Sequence, residues 1–314
     1  MCPDGSRGAC DGGMLVLESR LLTLVAEPGH GGKLCSLVSR RTGCELFYRD
    51  RRTVFDASRG YSHHDIGGFD ECFPTVAACR GRTDDGDDYD HPDHGLLWQR
   101  PWEARVTGGA LEMSCALPSL GCEFHRRCSF ASDAELLLEY RILNTGSRRV
   151  PFVYSAHPLL AADERTRVSL PAGMRRTFVW RAADTFGAAD EAWFDLPGAR
   201  PADITGPFRL ERRTFVKMFS DRLSEGRASV AHPATGDRLI LTFDTRALPH
   251  LGFLASQGHD SLGDGHFAGE FLLALEPTTG VGDDIPTGRG RGVPQVLLPG
   301  EERRFWIRLA VESM

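Results

Sequence analysis

The sequence predicts an all-β fold, a large antiparallel β-sandwich of two sheets. Apolar runs of about five to nine residues recur along the chain, and many alternate with polar residues, as half-buried strands do. Gly, Pro, Asn or Asp separates these runs, and 35 glycines and 18 prolines supply the turns. Long helical periodicity is hard to find, which favours a sandwich or barrel of short strands.

The predicted strands follow one another in chain order, each an apolar run bounded by turn-forming residues. The earlier ones are 14–19, 21–27, 33–39, 44–50, 102–107, 110–117, 122–130, 134–143 and 151–156. The segment from about 171 to 212 is less regular, and we expect a long excursion there with a short strand or helix. The later strands are 214–220, 227–232, 238–244, 270–276, 294–298 and 303–311. No repeat or linker splits the chain, which leaves a loose tail at 1–13 and one sandwich domain at 14–314.

The composition limits the classes of protein to which the chain can belong. With 41% hydrophobic and 25% charged residues, the 314-residue chain can form a sizeable core. The net charge of -6 gives no basic face for nucleic acid, and no apolar run is long enough to span a membrane. Nine cysteines without a CxxC pair, and no signal-peptide core, favour reduced thiols in the cytoplasm. The acidic run 83–90 is expected to be a solvated loop, with a Ca²⁺ loop as the alternative, although its oxygens lack the EF-hand spacing.

Glu276 ends the apolar run “FLLALE”, and Pro277 follows it. One interpretation is a strand-end charge that reaches solvent, because proline cannot continue the ladder of hydrogen bonds. The other is a general base, because a carboxylate at the rim of an apolar wall can have its pKa raised from about 4.3 toward neutrality. The segment alone leaves both interpretations open.

Two histidines lie in similar apolar settings. His157, in “VPFVYSAHPLL”, is either a core-edge residue satisfied by a backbone carbonyl or a group that exchanges protons near neutral pH. His94, in “DHGLLW”, precedes Gly95, which permits a close backbone approach. Trp98 and Trp102 offer flat faces that suit sugar rings, and ordinary core packing is the alternative for both.

Two adjacent acids, Asp70 and Glu71, lie in “IGGFDECFPTV”. Neighbouring residues on a strand face opposite ways, so at most one of these carboxylates easily enters a given site, where it could pair with two sugar hydroxyls. Histidines at 63, 64, 91 and 94 suggest a metal, but they lack zinc spacing, so we expect none. No GxSxG motif marks a serine nucleophile.

Taken together, these segments resemble the aldose 1-epimerase (galactose mutarotase-like) superfamily. The matching pieces are “GGFDECFPT”, “DHGLLWQRPWE”, “NTGSRRVPFVYSAHPLL”, “LALEPTTG” and “LLPGEERRFWIRLAV”. They stand in the family's order and span most of the chain from about residue 14. The resemblance implies a two-sheet antiparallel supersandwich, in agreement with the strand pattern.

The resemblance also implies roles for three residues. Glu276 matches the family's general base, which takes the proton from the anomeric hydroxyl, and His157 matches the acid that protonates the ring oxygen. His94 matches the second histidine, which orients the ring or assists the acid. The ring opens, rotation about C1–C2 exposes the other carbonyl face, and the ring closes as the other anomer without a cofactor. The resemblance therefore implies a mutarotase acting on a small sugar.

Departures from the family pattern bear on the substrate. Hexose-6-phosphate mutarotases of the superfamily tend to carry an arginine four residues after the histidine matched by His94. Trp98 stands there instead, which argues against a phosphosugar, although arginines at 80, 82 and 100 could still meet an anionic one. The expected sugar-contacting residues are Asp70, Glu71, Trp98 and Arg80.

Three other functions stay open. They are a non-catalytic sugar-binding protein on the same scaffold, a mutarotase of phosphorylated or otherwise anionic sugars, and a lyase or hydrolase. Hydrolysis usually needs two carboxylates, which Glu276 with Asp70 or Glu71 could supply. We expect a monomer or homodimer with a small-molecule sugar as its partner, and neither nucleic acid nor a membrane.

Overall fold

The computed structural model describes residues 13–50, 56–183, 191–196, 205–260, 267–290 and 295–314. The predicted tail at 1–13 lies outside these residues except for Gly13, and so do parts of the predicted excursion at 171–212. Within the described residues the chain forms two large antiparallel sheets and two separate strand pairs. The all-β class predicted from the sequence is therefore confirmed.

The described elements are short strands with little helix. In chain order the strands are β1 (Leu15–Glu18), β2 (Leu22–Glu27), β3 (Lys33–Ser39), β4 (Cys44–Glu45), β5 (Phe69–Cys72), β6 (Cys79–Arg82), β7 (Asp88–His91), β8 (Glu103–Thr107), β9 (Ala110–Leu117), β10 (Cys122–Ser132), β11 (Glu135–Asn144), β12 (Val150–Phe152), β13 (Ser155–Leu160), β14 (Arg167–Ser169), β15 (Arg176–Ala183), β16 (Ala192–Asp195), β17 (Thr214–Ser220), β18 (Gly226–His232), β19 (Asp237–Phe243), β20 (His250–Gln257), β21 (Phe271–Thr278), β22 (Gln295–Leu297) and β23 (Glu302–Ser313). The helical elements are α1 (Ile285–Gly290) and the 3₁₀ turns Ala57–Arg59, Tyr61–His63 and Leu210–Arg212. Among the described residues, no helix has the length and apolar character needed to cross a membrane.

The two large sheets differ in size. The larger has 11 strands in the order β1-β2-β3-β5-β13-β21-β20-β17-β15-β16, with β4 beside β3. The smaller has eight strands in the order β14-β18-β19-β23-β11-β10-β9-β8. The pairs β6–β7 and β12–β22 form separate ribbons. This order places β21 between β13 and β20, near the middle of the larger sheet.

The main core lies between the two sheets and follows strand alternation. In β11, residues Leu136, Leu138, Tyr140 and Ile142 are buried, and the residues between them are more exposed. Their side chains pack in one cluster with buried residues of the larger sheet. A period of two is what one buried sheet face produces, which explains why the sequence pattern predicts these strands.

Five neighbouring strands of the larger sheet break this alternation, because almost every residue in them is buried. They are β5, β13, β21, β20 and β17. Their second face is covered by chain segments that carry Tyr61, Ile66, Trp98 and Phe267, which pack on apolar residues of β13, β20 and β21. Polar side chains on a covered face are enclosed, so this face is where a buried site can form.

The structure also contains strands that the sequence pattern did not predict. β20 is an eight-residue strand in the middle of the larger sheet. The expected excursion at 171–212 contributes the paired strands β15 and β16 in its described part. The acidic run 83–90 forms the turn and most of the second strand of the β6–β7 ribbon, where the exposed Arg82 and Asp88 pair across the strands.

Candidate active site

A row of polar residues crosses the covered face of the larger sheet. The register pairs Asp70 of β5 with His157 of β13, and Gly252 of β20 with Glu276 of β21. On the adjacent strands β13 and β21, the Nε2 atom of His157 lies 3.7 Å from Oε1 of Glu276. Side chains at paired positions project from the same face of a sheet, so Asp70, His157 and Glu276 stand in sequence across three strands.

Lys217 of β17 meets this row from the other side. Its Nζ atom lies 2.6 Å from Oε1 and 2.5 Å from Oε2 of Glu276, and 3.6 Å from Oδ1 of Asp283. Strand β20 separates β17 from β21, and its residue opposite Glu276 is Gly252. An ideal Cβ on Gly252 would stand 3.3 Å from Oε2 of Glu276. The absent side chain therefore leaves the space across which the lysine reaches the carboxylate.

His94 and Tyr61 stand over the row. Their rings stack with centroids 3.5 Å apart, and the ring of His94 meets that of His157 edge-on at 5.0 Å. His94 has a positive φ of 58°, which is uncommon for a residue other than glycine. Gly95 follows with a φ of 71°, and a side chain there would overlap the backbone of Phe73. This tight turn fixes where the His94 ring stands.

A second buried lysine holds Asp70. The Nζ atom of Lys33 lies 2.5 Å from Oδ2 of Asp70 and 2.8 Å from the carbonyl oxygen of Gly67. The hydroxyl of Tyr61 donates to the same Oδ2 at 3.0 Å. Oδ1 of Asp70 and Nδ1 of His157, on paired residues, are both buried without a hydrogen-bond partner in the part of the chain that the structure describes.

Burial and pairing set the charges of these groups. Burial alone would raise the pKa of Glu276, but the Lys217 ammonium leaves it below its usual value, so the carboxylate is ionised at neutral pH. Burial lowers the pKa of His157 to about 4, although the nearby Glu276 carboxylate acts to raise it, so the imidazole is neutral at neutral pH. Burial raises the pKa of Asp283 to about 6. Burial would lower the pKa of Lys217, but Asp283 and Glu276 raise it, so the ammonium stays charged.

The row borders a pocket of about 420 Å³. Its polar lining includes Asp93, His94, His157, Lys217 and Asp283, and its apolar walls include Tyr61, Trp180, Phe215, Leu254 and Phe267. Pockets of this volume commonly hold small molecules. Glu276 has no exposed surface, and Lys217, which contacts both of its oxygens, forms part of the lining in front of it.

None of the four predicted sugar contacts is part of this lining, although Asp70 belongs to the row. Glu71 faces the opposite way from Asp70, into the space between the sheets, where it pairs with Arg126. Trp98 is buried, and its indole N–H donates to a backbone carbonyl. Arg80 is exposed on β6 and pairs across the ribbon with an aspartate. The structure thus brings together Asp70, the two candidate histidines and Glu276, but not these three residues.

The sequence reasoning missed both lysines and Asp283. Lys33 and Lys217 are the only lysines in the chain, whose other 35 basic residues are arginines. Both are 4% exposed, and each pairs with a buried carboxylate of the row. Their rarity was therefore a usable signal in the sequence. Asp283 lies in “VGDDIP”, where nothing local distinguishes it from a turn residue.

A second hollow, of about 480 Å³, lies on the smaller sheet along β8, β9, β10 and β11. Charged side chains line it and pair with one another, as Arg105 does with Glu112 and Arg127 with Glu139. Exposed ion pairs of this kind are ordinary features of protein surfaces. The buried charges of the first pocket are not ordinary, and they identify it as the candidate active site.

Comparison with known proteins bears on the fold. No protein-family model matches the chain, and no curated protein matches it in sequence. Among solved structures, the Slr1438 protein from Synechocystis sp. PCC 6803 is similar with a TM-score of 0.72 and 19% identity, over 99% of both chains. A galactose mutarotase-like protein from Lactobacillus casei ATCC 334 gives a TM-score of 0.63 and 16% identity, over 96% of this chain and 100% of its own. A galactose mutarotase-like protein from Clostridium acetobutylicum gives 0.67 and 12%, over 96% of this chain and 95% of its own.

These likenesses extend over nearly the whole chain and therefore over both sheets. Identities below 20% establish a shared fold, while the activity has to be argued from the groups in the pocket. The resemblance seen in the sequence is confirmed at the level of the fold, and the chain has the galactose mutarotase-like fold.

Proposed function

We propose that the protein is a mutarotase, an isomerase that interconverts the anomers of an aldose. The observation that carries the proposal is the contact of His157 with Glu276, 3.7 Å apart beside the pocket, with the His94 ring 5.0 Å from that of His157. Ring opening needs one group that takes a proton from the anomeric hydroxyl and another that delivers a proton to the ring oxygen. A carboxylate beside an imidazole can supply both.

In the proposed reaction Glu276 accepts the proton of the anomeric hydroxyl. The electrons of that O–H bond form the C1 carbonyl, the bond from C1 to the ring oxygen breaks, and His157 gives its proton to that oxygen. Rotation about C1–C2 turns the other carbonyl face toward the ring oxygen. The same steps in reverse close the other anomer and restore both groups, with His94 orienting the ring. The scheme uses no cofactor.

The resting charges place a condition on this scheme. His157 acts as the acid only when it carries a second proton, and its pKa of about 4 makes that form a minor one at neutral pH. The value of kcat/KM reports the protonation states of the free protein. It should therefore rise as the pH falls toward about 4, the pKa of His157 in the folded protein. Glu276 stays ionised through most of this range because Lys217 lowers its pKa.

For the substrate we propose a free or modestly substituted aldose in the cytoplasm. Trp98, at the position where phosphosugar mutarotases tend to carry an arginine, is buried and does not line the pocket. If the substrate is anionic, Arg181 is the arginine that the pocket offers, because it is exposed at the lining whereas Arg80 is not part of it. Asp70 is the predicted sugar contact that belongs to the row, as the register partner of His157.

One observation favours a second candidate, a sugar-binding protein that does not turn its ligand over. Lys217 contacts both oxygens of Glu276, and the glutamate has no exposed surface. A base engaged in this way reaches a sugar only if the ammonium gives up one of its contacts. A binding protein would need no such change.

Anomer exchange measured by NMR distinguishes the two candidates. Wild type should accelerate exchange for at least one aldose in a panel of neutral, phosphorylated and carboxylate sugars. Glu276→Gln keeps the shape of the side chain but cannot take the proton, so the catalysed rate should fall by roughly 10² to 10⁴. Glu139→Gln, on the outside of the smaller sheet, is the matched control and should exchange at the wild-type rate. Binding without exchange in wild type would exclude the mutarotase and leave the binding protein.

A further inference from the structure

Among the described residues, the Lys217 ammonium has a hydrogen-bond donor without an acceptor. An ammonium carries three N–H groups, and Oε1 and Oε2 of Glu276, at 2.6 and 2.5 Å, take at most two of them. The next acceptor, Oδ1 of Asp283, is 3.6 Å away, which is close enough for attraction but too far for a hydrogen bond. Lys217 lines the pocket, so the remaining N–H is available to a ligand.

The Asp283 carboxylate offers an acceptor that matches this donor. Its Oδ1 atom is buried and has no hydrogen-bond partner among the described residues, although 11% of its side-chain surface is exposed at the pocket. The backbone of this residue is firmly held, because its carbonyl accepts the N–H groups of Val76 and Ala77 at 2.9 and 2.8 Å and the Thr75 hydroxyl at 3.2 Å. The carboxylate therefore projects from a fixed point, and a buried acceptor without a hydrogen bond is costly.

We propose that Lys217 and Asp283 together bind one hydroxyl group of the sugar. A hydroxyl both accepts and donates a hydrogen bond, so it can accept the free N–H of Lys217 and donate to the Asp283 carboxylate. The exposed part of the Asp283 carboxylate and Lys217 both line the pocket, and the two groups are close enough, with Nζ 3.6 Å from Oδ1, for one ligand oxygen to contact both. The site would select sugars that carry a hydroxyl at this position. This inference rests on the proposed function for its ligand class, but it concerns binding and not the proton transfers.

Monodeoxy sugars test the proposal directly. The probes are D-glucose, D-galactose and their derivatives that each lack one hydroxyl, and the dissociation constant of each is measured by NMR titration. For wild type, one derivative should bind roughly 10- to 100-fold more weakly than its parent, the range for a hydrogen bond to a charged group. The other derivatives should lose less.

Variants of Asp283 test whether this side chain binds that hydroxyl. In Asp283→Ala only the Lys217 contact remains, so the difference in affinity between the parent sugar and the discriminating derivative should shrink by roughly 10-fold. Asp283→Asn keeps the side-chain shape but offers a neutral acceptor, so its difference should lie between those of wild type and Asp283→Ala. Asp284→Asn is the matched control, because the neighbouring aspartate instead accepts the backbone N–H of Thr287 at 2.7 Å. It should keep the full wild-type difference.

The outcomes separate this proposal from the proposed function when anomer exchange is recorded on the same samples. Discrimination that stays at its full wild-type value in Asp283→Ala, or wild type that binds every derivative like its parent, would refute the hydroxyl site while exchange still supports the mutarotase. Discrimination reduced in Asp283→Ala without any exchange in wild type would support the hydroxyl site and refute the mutarotase. If no sugar binds, both proposals fall.

Discussion

Replacing Glu71 by glutamine should lower the unfolding temperature without weakening sugar binding. Glu71 is 1% exposed and lies between the two sheets. It accepts hydrogen bonds from the Arg126 guanidinium at 2.8 Å, from the Tyr140 hydroxyl at 2.9 Å and from the Tyr154 hydroxyl at 2.7 Å. Glutamine fills the same space but is neutral, so Arg126, whose side chain has no exposed surface, would be left as a buried charge without a counter-ion.

The expected magnitude follows from the burial of the pair. Removing one partner of a buried ion pair typically costs about 3–5 kcal/mol. An unfolding entropy of about 2.1 cal/mol/K per residue amounts to roughly 0.66 kcal/mol/K for a chain of 314 residues. The Tm should therefore fall by about 5–8 °C. Calorimetry measures this fall, and anomer exchange on the same sample measures KM.

A matched control lies one residue further along β10. Arg127 pairs with Glu139 at 2.8 Å on the exposed side, so Glu139→Gln should cost less than about 1 kcal/mol and move Tm by no more than about 1.5 °C. The reasoning would be wrong if Glu71→Gln had the same Tm as the control variant. A raised KM at an unchanged Tm would instead support the sugar contact that the sequence predicted for Glu71.

Three more results are expected. Gly252→Ala places a Cβ 3.2 Å from Cβ of Glu276. We therefore expect the free energy of unfolding, measured in urea, to fall by about 1–3 kcal/mol and anomer exchange to slow. Exchange at the wild-type rate would show that the row tolerates the methyl group. Asp70→Asn should slow exchange by roughly 10²-fold. It should also shift the alkaline limb of the kcat/KM profile to lower pH, because Asp70 raises the pKa of its neighbour His157. An unchanged alkaline limb would mean that Asp70 has a purely structural role. Because the folded pKa of His157 is about 4 and its unfolded value about 6.5, the unfolded state binds more protons between these values. The contribution of His157 to the free energy of unfolding should then fall by up to about 3 kcal/mol as the pH drops through that window, so His157→Asn should lose stability less steeply than wild type in urea unfolding.

The sequence predicts the smaller sheet better than the middle of the larger one. β9, β10, β11, β19 and β23 have one face against the core, so their alternation is visible in any local window. β20 is buried on both faces and carries Gly252, a residue that disfavours strands. The glycine is there because Glu276 and Phe219 lie close to the space that a side chain would fill, and that cause lies on two other strands.

The candidate site was partly predictable for the same reason. Glu276 and His157 each interrupt an apolar run and His94 directly precedes one, and a local window can detect both signals. The orientation of Asp70 and Glu71 could not be assigned from such a window. Alternation predicts that they face opposite ways, but the partners that fix each direction, Lys33 and Arg126, lie 37 and 55 residues away.

The two lysines differ from the arginines of the chain in the shape of the charged group. The chain uses arginine at all its other basic positions, including the exposed ion pairs and the buried partner of Glu71. An ammonium is a compact charge with three donors, whereas a guanidinium is a flat, wider fork. Lys217 directs two N–H groups at Glu276 and has a third left facing Asp283, and Lys33 likewise bonds both Asp70 and the carbonyl of Gly67. A fork of fixed geometry suits a pair such as Arg126 and Glu71, but it is wider than the gap that Gly252 leaves. We therefore attribute the use of lysine at these two buried positions to the shape of the row, and not to its charge alone.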